Sequence, residues 1–242
     1  MNKKKIVITG GSGRFGEIIK RDFNRSKYNI YFPNKINLNI LNINSIKNYL
    51  KIKKPNYLIH LAGLSRPMNL HEKNIKKSID LNIIGTANVT KICSDLNIKL
   101  IYISTSYVYP GEKGNYKESD PIKPINNYGL SKMGGEASVR MYKNSLVIRA
   151  SMTEKPFIHS KAFFDFITNF IYHEDFVKLL FKVINKKGII NIGGKTQSVY
   201  DFAKSKSLKI KKISAKKIFK KKNKIDIGMN LNKLKKIILK SS

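Results

Sequence analysis

Tyr128 and Lys132, in the stretch NNYGLSK, are the residues best placed by type and spacing for acid–base chemistry. Residues four apart on a helix share one face, so these two side chains can meet. An ammonium beside a phenol stabilises the phenolate, and the tyrosine becomes a usable general acid or base near working pH. Because the chain has 48 lysines and arginines, a tyrosine with a lysine four residues on is common in it. Only the place of Tyr128 and Lys132 in the predicted fold separates this pair from the others.

The stretch IYISTSYVYPG, residues 101–111, begins as an apolar strand and ends in hydroxyls, aromatic rings and a Pro-Gly turn. Strand ends can carry such residues without a function. Here the strand precedes the helix that Tyr128 opens, and both lie at the carboxyl edge of a predicted sheet. Thr105, just past the strand, can donate a hydrogen bond to the oxygen that Tyr128 protonates. Thr105, Tyr128 and Lys132 therefore predict a proton-transfer site at the mouth of a nucleotide-binding fold.

The glycines of IVITGGSGRFGEIIK stand between the first predicted strand and the first predicted helix. In a dinucleotide-binding loop, Gly10 permits the tight turn, Gly13 lets the backbone approach a pyrophosphate, and Gly16 lets helix and strand pack closely. Their position predicts dinucleotide binding. The alternative is a glycine-rich turn that binds no ligand.

The end of the second strand favours NADP(H) over NAD(H). Sites for NAD usually carry an acidic residue there, which holds the ribose hydroxyls. Here YNIYF is followed by Pro33, Asn34 and Lys35, and Arg14 lies within the glycine loop. Because Lys35 and Arg14 could receive a 2′-phosphate, we expect NADP(H) in slight preference to NAD(H).

Short runs of Ile, Val and Leu alternate with helical segments through the first part of the chain. This alternation predicts an α/β fold with a doubly wound parallel sheet of the Rossmann type. The segment NINSIKNYLKIKK predicts a helix capped by Asn44 or Ser45, and NIKKSIDLNIIGTANVTKICSDLN predicts one long helix. In EDFVKLLFKVIN, Asp175 is the expected helix cap.

The chain is expected to form one large domain with a smaller appendage. Residues 1–150 are the predicted dinucleotide-binding domain, and residues 175–195 are predicted to return to its sheet. Residues 151–174 and 196–242 are predicted to form a small C-terminal substrate-binding part over the carboxyl edge.

Composition narrows the function classes. The formal charge of +33 suggests binding to nucleic acid, but nearly all of the basic residues are lysines. Arginine, the preferred contact for bases and phosphates, is scarce, so we expect no specific nucleic-acid partner. No apolar run approaches the ~20 residues that cross a bilayer, and the sequence predicts a cytoplasmic protein without membrane contact.

The remaining reactive residues have mostly structural interpretations. The single cysteine, Cys93, excludes an intrachain disulfide and is expected in the core, as is His60 in a predicted strand. His159, with Lys155 and Lys161, could face a substrate diphosphate. One cysteine and four scattered histidines give no metal-site spacing, so no metal is expected.

The motifs TGGSGRFG, IHLAG, LNIIGT, STSYVYPG and YGLSK resemble the extended short-chain dehydrogenase/reductase (NAD-dependent epimerase/dehydratase) superfamily in order and spacing. Within it, STSYVYPG followed by ESDPIKPINNYGLSKMGGE is most similar to dTDP-4-dehydrorhamnose reductases, which reduce the 4-keto group of a nucleotide-linked deoxysugar. The resemblance implies that Thr105, Tyr128 and Lys132 are catalytic. Tyr128 would be the proton donor, Lys132 would also hold the nicotinamide ribose, and hydride would pass to the keto carbon.

The resemblance also implies binding residues and partners. The implied cofactor-binding residues are Gly10, Gly13, Arg14, Phe15, Gly16, Lys35, Asn39, Ile40, Leu61, Ala62, Gly63, Tyr128 and Lys132. A nucleotide-diphosphate sugar is the implied substrate, and its implied contacts are Ser106, Tyr107, His159 and Lys161. A homodimer that pairs through SIDLNIIGTANVTKIC and YGLSKMGGEASVRMY is common in the family.

The sequence departs from this family at three places. Related 4,6-dehydratases carry an Asp-Glu pair directly after the catalytic threonine, and Ser106 and Tyr107 stand there, which argues against dehydration. The reductases usually have Asp at the positions of Ser106 and Pro110, so the substrate could differ. The region after Arg149 is some tens of residues shorter than usual, so the sugar pocket is partly formed or completed by another subunit.

Three functions remain open at this point. The first is a reductase of a nucleotide-activated 4-keto-6-deoxy sugar, feeding surface polysaccharide synthesis. The second is a nucleotide-sugar 4-epimerase that retains bound NAD. The third is a non-catalytic dinucleotide-binding regulatory subunit. All three share a fold, so the choice depends on the site.

Overall fold

The computed structural model describes residues 3–22, 28–205, 209–219 and 222–240. Its strands are β1 (Lys4–Thr9), β2 (Tyr28–Tyr31), β3 (Tyr57–His60), β4 (Lys99–Thr105), β5 (Ser145–Ala150), β6 (Met152–Thr153), β7 (Lys161–Phe163), β8 (Phe166–Thr168), β9 (Ile171–Tyr172), β10 (Gly188–Ile192), β11 (Gln197–Ser198), β12 (Lys211–Ile213) and β13 (Ile225–Asp226). Its α-helices are α1 (Arg14–Asp22), α2 (Ile43–Lys53), α3 (Leu70–Lys73), α4 (Ile75–Ile79), α5 (Gly85–Asp95), α6 (Asn127–Met141), α7 (His173–Val183), α8 (Val199–Lys204), α9 (Ala215–Phe219) and α10 (Asn232–Leu239).

One six-stranded parallel sheet organises the chain, in the order β10-β5-β4-β3-β1-β2. The chain steps outward from β1 to β2 and then returns to the other side of β1 with β3. The switch point therefore lies between β1 and β3, and ligands of such sheets bind at its carboxyl end. Every residue of β3 and β4 is buried, as expected for parallel strands covered on both faces. The predicted doubly wound α/β fold is confirmed.

The described residues divide into two compact units. The first unit comprises the described residues within Met1–Ser104, Asn126–Ile148 and Ile184–Ile189, and the second comprises those within Thr105–Ile125, Arg149–Val183 and Ile190–Ser242. The sequence interpretation had not separated residues 105–125 from the first 150. The assignment of dinucleotide binding and substrate binding to separate parts of the chain stays a prediction.

A continuous hydrophobic core fills one face of the sheet in the first unit. Its fully enclosed members include Val7 on β1, Leu58 on β3 and Leu100 on β4, packed against Val89 of α5. Cys93 belongs to the same cluster with none of its surface exposed, which confirms the prediction of a core cysteine. Burial of such side chains contributes roughly 1.5–3 kcal/mol each, so this cluster is a main source of the unit's stability.

Three helix predictions need correction. The predicted long helix after residue 74 is interrupted, because a π-helical turn, Asp80–Ile84, separates α4 from α5. The N-cap of α2 is Asn42, whose side chain accepts from the Ser45 backbone nitrogen, so the predicted caps at Asn44 and Ser45 were wrong. Helix α7 begins at His173, which places Asp175 in its first turn and not at its cap.

The second unit is built around small sheets and a buried polar network. Strand β8 pairs with β11 and β13, and β7 pairs with β12. Arg149, 1% exposed, donates to the Tyr109 hydroxyl at 3.0 Å, and that hydroxyl donates to Asn191 Oδ1 at 2.8 Å. Asn191 Nδ2 donates to the Tyr116 carbonyl at 2.9 Å. A charged side chain this deeply buried is tolerated because hydrogen bonds satisfy it, which gives Arg149 a structural role.

Candidate active site

The loop after β1 has positions that only glycine can occupy. Gly10 has a φ of +71°, which side chains disfavour. A Cβ at Gly10 would lie 2.6 Å from the Ala62 backbone nitrogen, and one at Gly16 would lie 2.5 Å from Gly11. The Gly13 backbone nitrogen donates to the Gly10 carbonyl at 3.0 Å and closes the turn before α1. The loop therefore presents bare backbone beside a helix N-terminus, which suits a pyrophosphate.

Basic side chains stand on the elements around this loop. Arg14 and Phe15 open α1, and Arg14 is exposed. Lys35 is exposed in the turn that follows β2. The sequence has no acidic residue between Asp22 and Glu72, so this stretch offers no carboxylate to a ribose.

The predicted cofactor residues after β3 lie against β1. The Leu61 backbone nitrogen donates to the Thr9 carbonyl at 3.2 Å, and that of Ala62 donates to the Thr9 hydroxyl at 3.3 Å. A Cβ at Gly63 would lie 2.7 Å from Asn82 Oδ1. Residues 61–63 and the glycine loop therefore meet at the carboxyl edge of the sheet, at its switch point.

Two further predicted cofactor residues have structural contacts of their own. The Asn39 backbone nitrogen donates to Ser45 Oγ at 3.0 Å, and its side chain accepts from the Leu41 backbone nitrogen at 3.0 Å. Ile40 is 5% exposed and packs into the core cluster of the first unit. For both residues, contact with a cofactor stays a prediction.

A buried histidine, His60, is hydrogen-bonded to the end of β1, directly before the glycine loop. His60 Nδ1 lies 2.7 Å from Thr9 Oγ1, and His60 Nε2 lies 3.1 Å from Thr86 Oγ1. Burial, with a smaller effect from Lys132, lowers the pKa of His60 to about 3, so the imidazole is uncharged at neutral pH. The prediction of a core histidine is confirmed.

Tyr128 and Lys132 lie at the start of α6. The Asn126 side chain caps this helix by accepting from the Gly129 backbone nitrogen at 2.8 Å. The Lys132 ammonium lies 4.1 Å from the centroid of the Tyr102 ring, within range of a cation–π interaction. The Tyr102 hydroxyl in turn donates to the Lys132 carbonyl at 3.2 Å. A ring from β4 thus fixes the position of the lysine predicted to assist Tyr128.

Burial and a neighbouring carboxylate set the pKa of Lys132. Burial lowers the pKa of Lys132 to about 7, although the Glu136 carboxylate raises it. Glu136 is fully buried and accepts a hydrogen bond from the Ser104 hydroxyl at 2.9 Å. Because an ammonium beside a phenol stabilises the phenolate, a carboxylate that favours the charged form of Lys132 suits the role predicted for this lysine.

Asn82 connects several parts of this site, and the sequence interpretation did not identify it. It lies in the π-helical turn and is 1% exposed. Its side chain accepts from the Leu64 backbone nitrogen at 2.7 Å and donates to the Ser131 hydroxyl at 2.8 Å. Ser131 in turn donates to the Tyr128 carbonyl at 2.8 Å. A lone amide in the apolar stretch LNIIGT was the available signal.

The second unit contains the predicted hydroxyl cluster. Thr105 is the last residue of β4 and not the residue after it, and it is 5% exposed. Its hydroxyl accepts from the Tyr107 backbone nitrogen at 3.3 Å, at the start of a 3₁₀ turn that also contains Ser106. The Tyr107 ring lies 5.7 Å from that of Phe166. That Thr105 acts together with Tyr128, and that Ser106 and Tyr107 contact substrate, stay predictions.

The other predicted substrate residues, His159 and Lys161, are exposed in the second unit. The His159 ring packs edge-on against Phe157 at 5.4 Å. Lys161 opens β7 and is paired in register with Lys211 of β12. Both side chains are accessible to an anionic ligand, and their contact with a sugar diphosphate stays a prediction.

The described residues form neither a metal-binding cluster nor a membrane-spanning helix. No group of three or more His, Cys, Asp or Glu side chains lies close enough to hold a metal ion there. No helix in that part of the chain has the length and apolar character needed to span a membrane.

The parallel sheet, the glycine loop at its switch point and the Tyr128–Lys132 pair define a Rossmann-like protein of the extended short-chain dehydrogenase/reductase superfamily. The chain belongs to the RmlD substrate binding domain family, whose model matches residues 4–189. That match confirms the family resemblance seen in the sequence.

Two relatives match part of the chain in sequence. Over 143 residues, the chain is 28% identical to methionine adenosyltransferase 2 subunit beta of Xenopus laevis, covering 56% of this chain and 42% of that relative. Over 150 residues, it is 29% identical to spore coat polysaccharide biosynthesis protein SpsK of Bacillus subtilis (strain 168), covering 61% of this chain and 52% of SpsK. The matched region is thus about half of these relatives or less.

The structural match is longer. The crystal structure of dTDP-4-dehydrorhamnose reductase from Bacillus anthracis str. Ames in complex with NADP superposes with a TM-score of 0.85 at 23% identity. The match covers 97% of this chain and 92% of that chain. At this identity the likeness establishes the fold.

Proposed function

We propose that this chain is an NAD(P)H-dependent reductase of a nucleotide-activated 4-keto-6-deoxy sugar. The observation that carries the proposal is the placement, within the first unit, of Tyr128 and Lys132 on the helix that follows β4, with the glycine loop after β1. The match to the RmlD family supports it, as does the polysaccharide biosynthesis name of SpsK.

The cofactor is proposed to lie along the glycine loop. Gly10 and Gly13 present backbone without side chains in the loop before α1, so the residues present fit a dinucleotide pyrophosphate. A bound nicotinamide would supply the hydride. Lys35 and Arg14 favour NADP(H), and the B. anthracis structure was solved with NADP. The choice between NADP(H) and NAD(H) is part of the proposal.

Tyr128 is proposed to protonate the keto oxygen while hydride reaches the keto carbon. Lys132 would stabilise the resulting phenolate through its ammonium charge and hold the nicotinamide ribose. The buried Glu136 carboxylate would keep that ammonium charged, because it raises the pKa of Lys132 against the effect of burial. Thr105 would add a hydrogen bond to the same keto oxygen.

Absorbance of the reduced nicotinamide tests this function, with NADPH and NADH in parallel and a dTDP-4-keto-6-deoxy sugar made in situ. Tyr128→Phe should lower kcat by about 10²–10⁴-fold while cofactor affinity stays nearly unchanged. Tyr49→Phe is the matched control, because Tyr49 also has a lysine four residues on, with the Lys53 ammonium 5.9 Å from its ring. Equal rates in parent and Tyr128→Phe would refute the role of Tyr128.

A second candidate is a non-catalytic regulatory subunit, and one observation favours it. The first curated relatives are named as the beta subunit of methionine adenosyltransferase 2. If the parent binds a dinucleotide but consumes none, its effect on the kinetics of a methionine adenosyltransferase from the same source should be measured. Nicotinamide retained through purification with no net consumption would instead favour the 4-epimerase.

A further inference from the structure

His71 lies beside Tyr128, and neither the family match nor the sequence interpretation gives it a role. It belongs to the short helix α3 and is 1% exposed. Its Nδ1 lies 2.7 Å from the hydroxyl of Ser78 on α4. This bond fixes the plane of the imidazole, because a hydrogen bond at that distance is directional.

The imidazole packs against the ring of Tyr128. The two ring centroids are 5.1 Å apart and the planes are inclined at 59°. This lies within the range of favourable aromatic pairs, so the imidazole restricts rotation and displacement of the phenol. Hydrogen bonds also join α3 to the start of α6. Asn127 Nδ2 donates to the Glu72 carboxylate and, at 3.5 Å, to the His71 carbonyl.

Burial favours the neutral form of His71. Burial lowers the pKa of His71 below its ordinary value of 6.5, Ser65 backbone and the Glu72 carboxylate raise it, and Lys132 lowers it. Its Nε2 is buried and has no hydrogen-bond partner among the described residues. Protonation would therefore place a second cation beside Tyr128 and Lys132.

We propose that His71 is a positioning residue for Tyr128: a neutral imidazole, fixed by Ser78, that holds the phenol in its reactive orientation and disturbs it when protonated. The inference rests on the proposed function for its effect on turnover. Its effect on the Tyr128 ring does not depend on that function, so the two can fail separately.

Two substitutions separate the ring contact from the tether. His71→Phe keeps a flat ring against Tyr128 but loses the bond to Ser78. His71→Asn keeps a polar atom near Ser78 and removes the ring. We expect His71→Asn to lower kcat by about 10–100-fold, because small misplacements of reacting groups have effects of that size. The KM for the cofactor should change less than about twofold, and His71→Phe should recover most of the lost rate at neutral pH.

The pH profile distinguishes this role from a merely structural one. As pH falls through the His71 pKa, the parent should lose activity, whereas His71→Phe has no imidazole to protonate and should keep its rate. Ile92→Val, a substitution in the core that leaves α3 and α6 intact, controls for lost stability. Parent and His71→Phe with the same acid limb would overturn the proposal.

A readout without turnover completes the test. Protein labelled with ¹³C at the tyrosine ζ carbons gives a Tyr128 resonance, which Tyr128→Phe identifies by its loss. In the parent this resonance should shift in one step on the acid side, and in His71→Phe the step should be absent. If the Tyr128 resonance shifts on the acid side but the protein has no reductase activity, the proposed function is rejected and the role of His71 is kept. If the protein is active but the resonance does not shift, the role of His71 is rejected and the proposed function is kept.

Discussion

Lys132→Met should make the protein more stable at neutral pH while removing a residue proposed to act in catalysis. The folded chain holds the Lys132 ammonium partly buried over the Tyr102 ring, and its pKa falls from an ordinary 10.5 to about 7. In the unfolded chain the same lysine would be fully solvated. Keeping this ammonium in the folded state therefore costs free energy that a methionine, of similar length and uncharged, does not.

The sign and size follow from proton linkage. Between pH 7 and 10.5 the unfolded chain binds more protons at this site than the folded chain, so the free energy of unfolding rises with pH there. A pKa difference of about 3.5 corresponds to an upper limit of about 5 kcal/mol. Lys132 keeps partial solvent exposure, and in the variant the buried Glu136 loses the ammonium but keeps the Arg140 guanidinium at 4.0 Å. We therefore expect about 2 kcal/mol at pH 7, or roughly 4–8 °C in Tm.

Thermal and urea unfolding of the cofactor-free protein would measure this at about pH 7 and about pH 10. The advantage of Lys132→Met should fall to a small fraction of its pH 7 value at the higher pH, because the folded parent is then deprotonated at this site and the unfolded parent, with an ordinary pKa of 10.5, has begun to lose the same proton. Lys51→Met, at an exposed position of α2, removes the same formal charge as a control. A variant no more stable than the parent at pH 7, or one with a constant advantage, would refute the reasoning.

Three other predictions concern the cofactor, the π-helical turn and assembly. Lys35→Glu should shift the NADPH-to-NADH preference toward NADH by about tenfold or more, since it replaces a cation by the acid that NAD sites use; equal titrations of both cofactors in parent and variant would contradict this. Asn82→Ala should lower the free energy of unfolding by about 3 kcal/mol, because the Leu64 backbone loses both its partners, and hydrogen exchange at Leu64 would report it directly. If the chain dimerises through α5 and α6, Ile84→Lys should favour the monomer in sedimentation, because the Ile84 side chain is 45% exposed beside these helices. Ile52→Lys is the control: Ile52 is 75% exposed on α2, and its substitution should leave the dimer unchanged.

The sequence predicted the parts of the fold that depend on local patterns. Apolar runs such as IVIT and LIYIS became buried strands because parallel strands need apolar residues on both faces. The glycine loop was identifiable because its φ and its close approach to Ala62 exclude other residues. Tyr128 and Lys132 were identifiable because four-residue spacing on a helix is also local.

The contacts that orient the site could not be predicted in this way, because their partners are distant in sequence. The Asn82 side chain bonds to Leu64, 18 residues before it, and to Ser131, 49 residues after it. The packing of His71 on Tyr128 has the same character. The π-helical turn escaped prediction because its apolar spacing continues that of the flanking helices, and only the inward amide of Asn82 marks it.

The pairing of residues 105–125 with the last described part of the second unit has a consequence for biosynthesis. The Asp226 backbone nitrogen donates to the Gly111 carbonyl at 2.8 Å, and Tyr116 is bridged to Met229. A ribosome that adds about 5–20 residues per second needs roughly 6–23 s to make the partner of this segment after the segment itself. Through that interval Tyr116, which ends up buried, lacks its bridge to Met229. The nascent second unit is therefore where we expect chaperones to bind this chain.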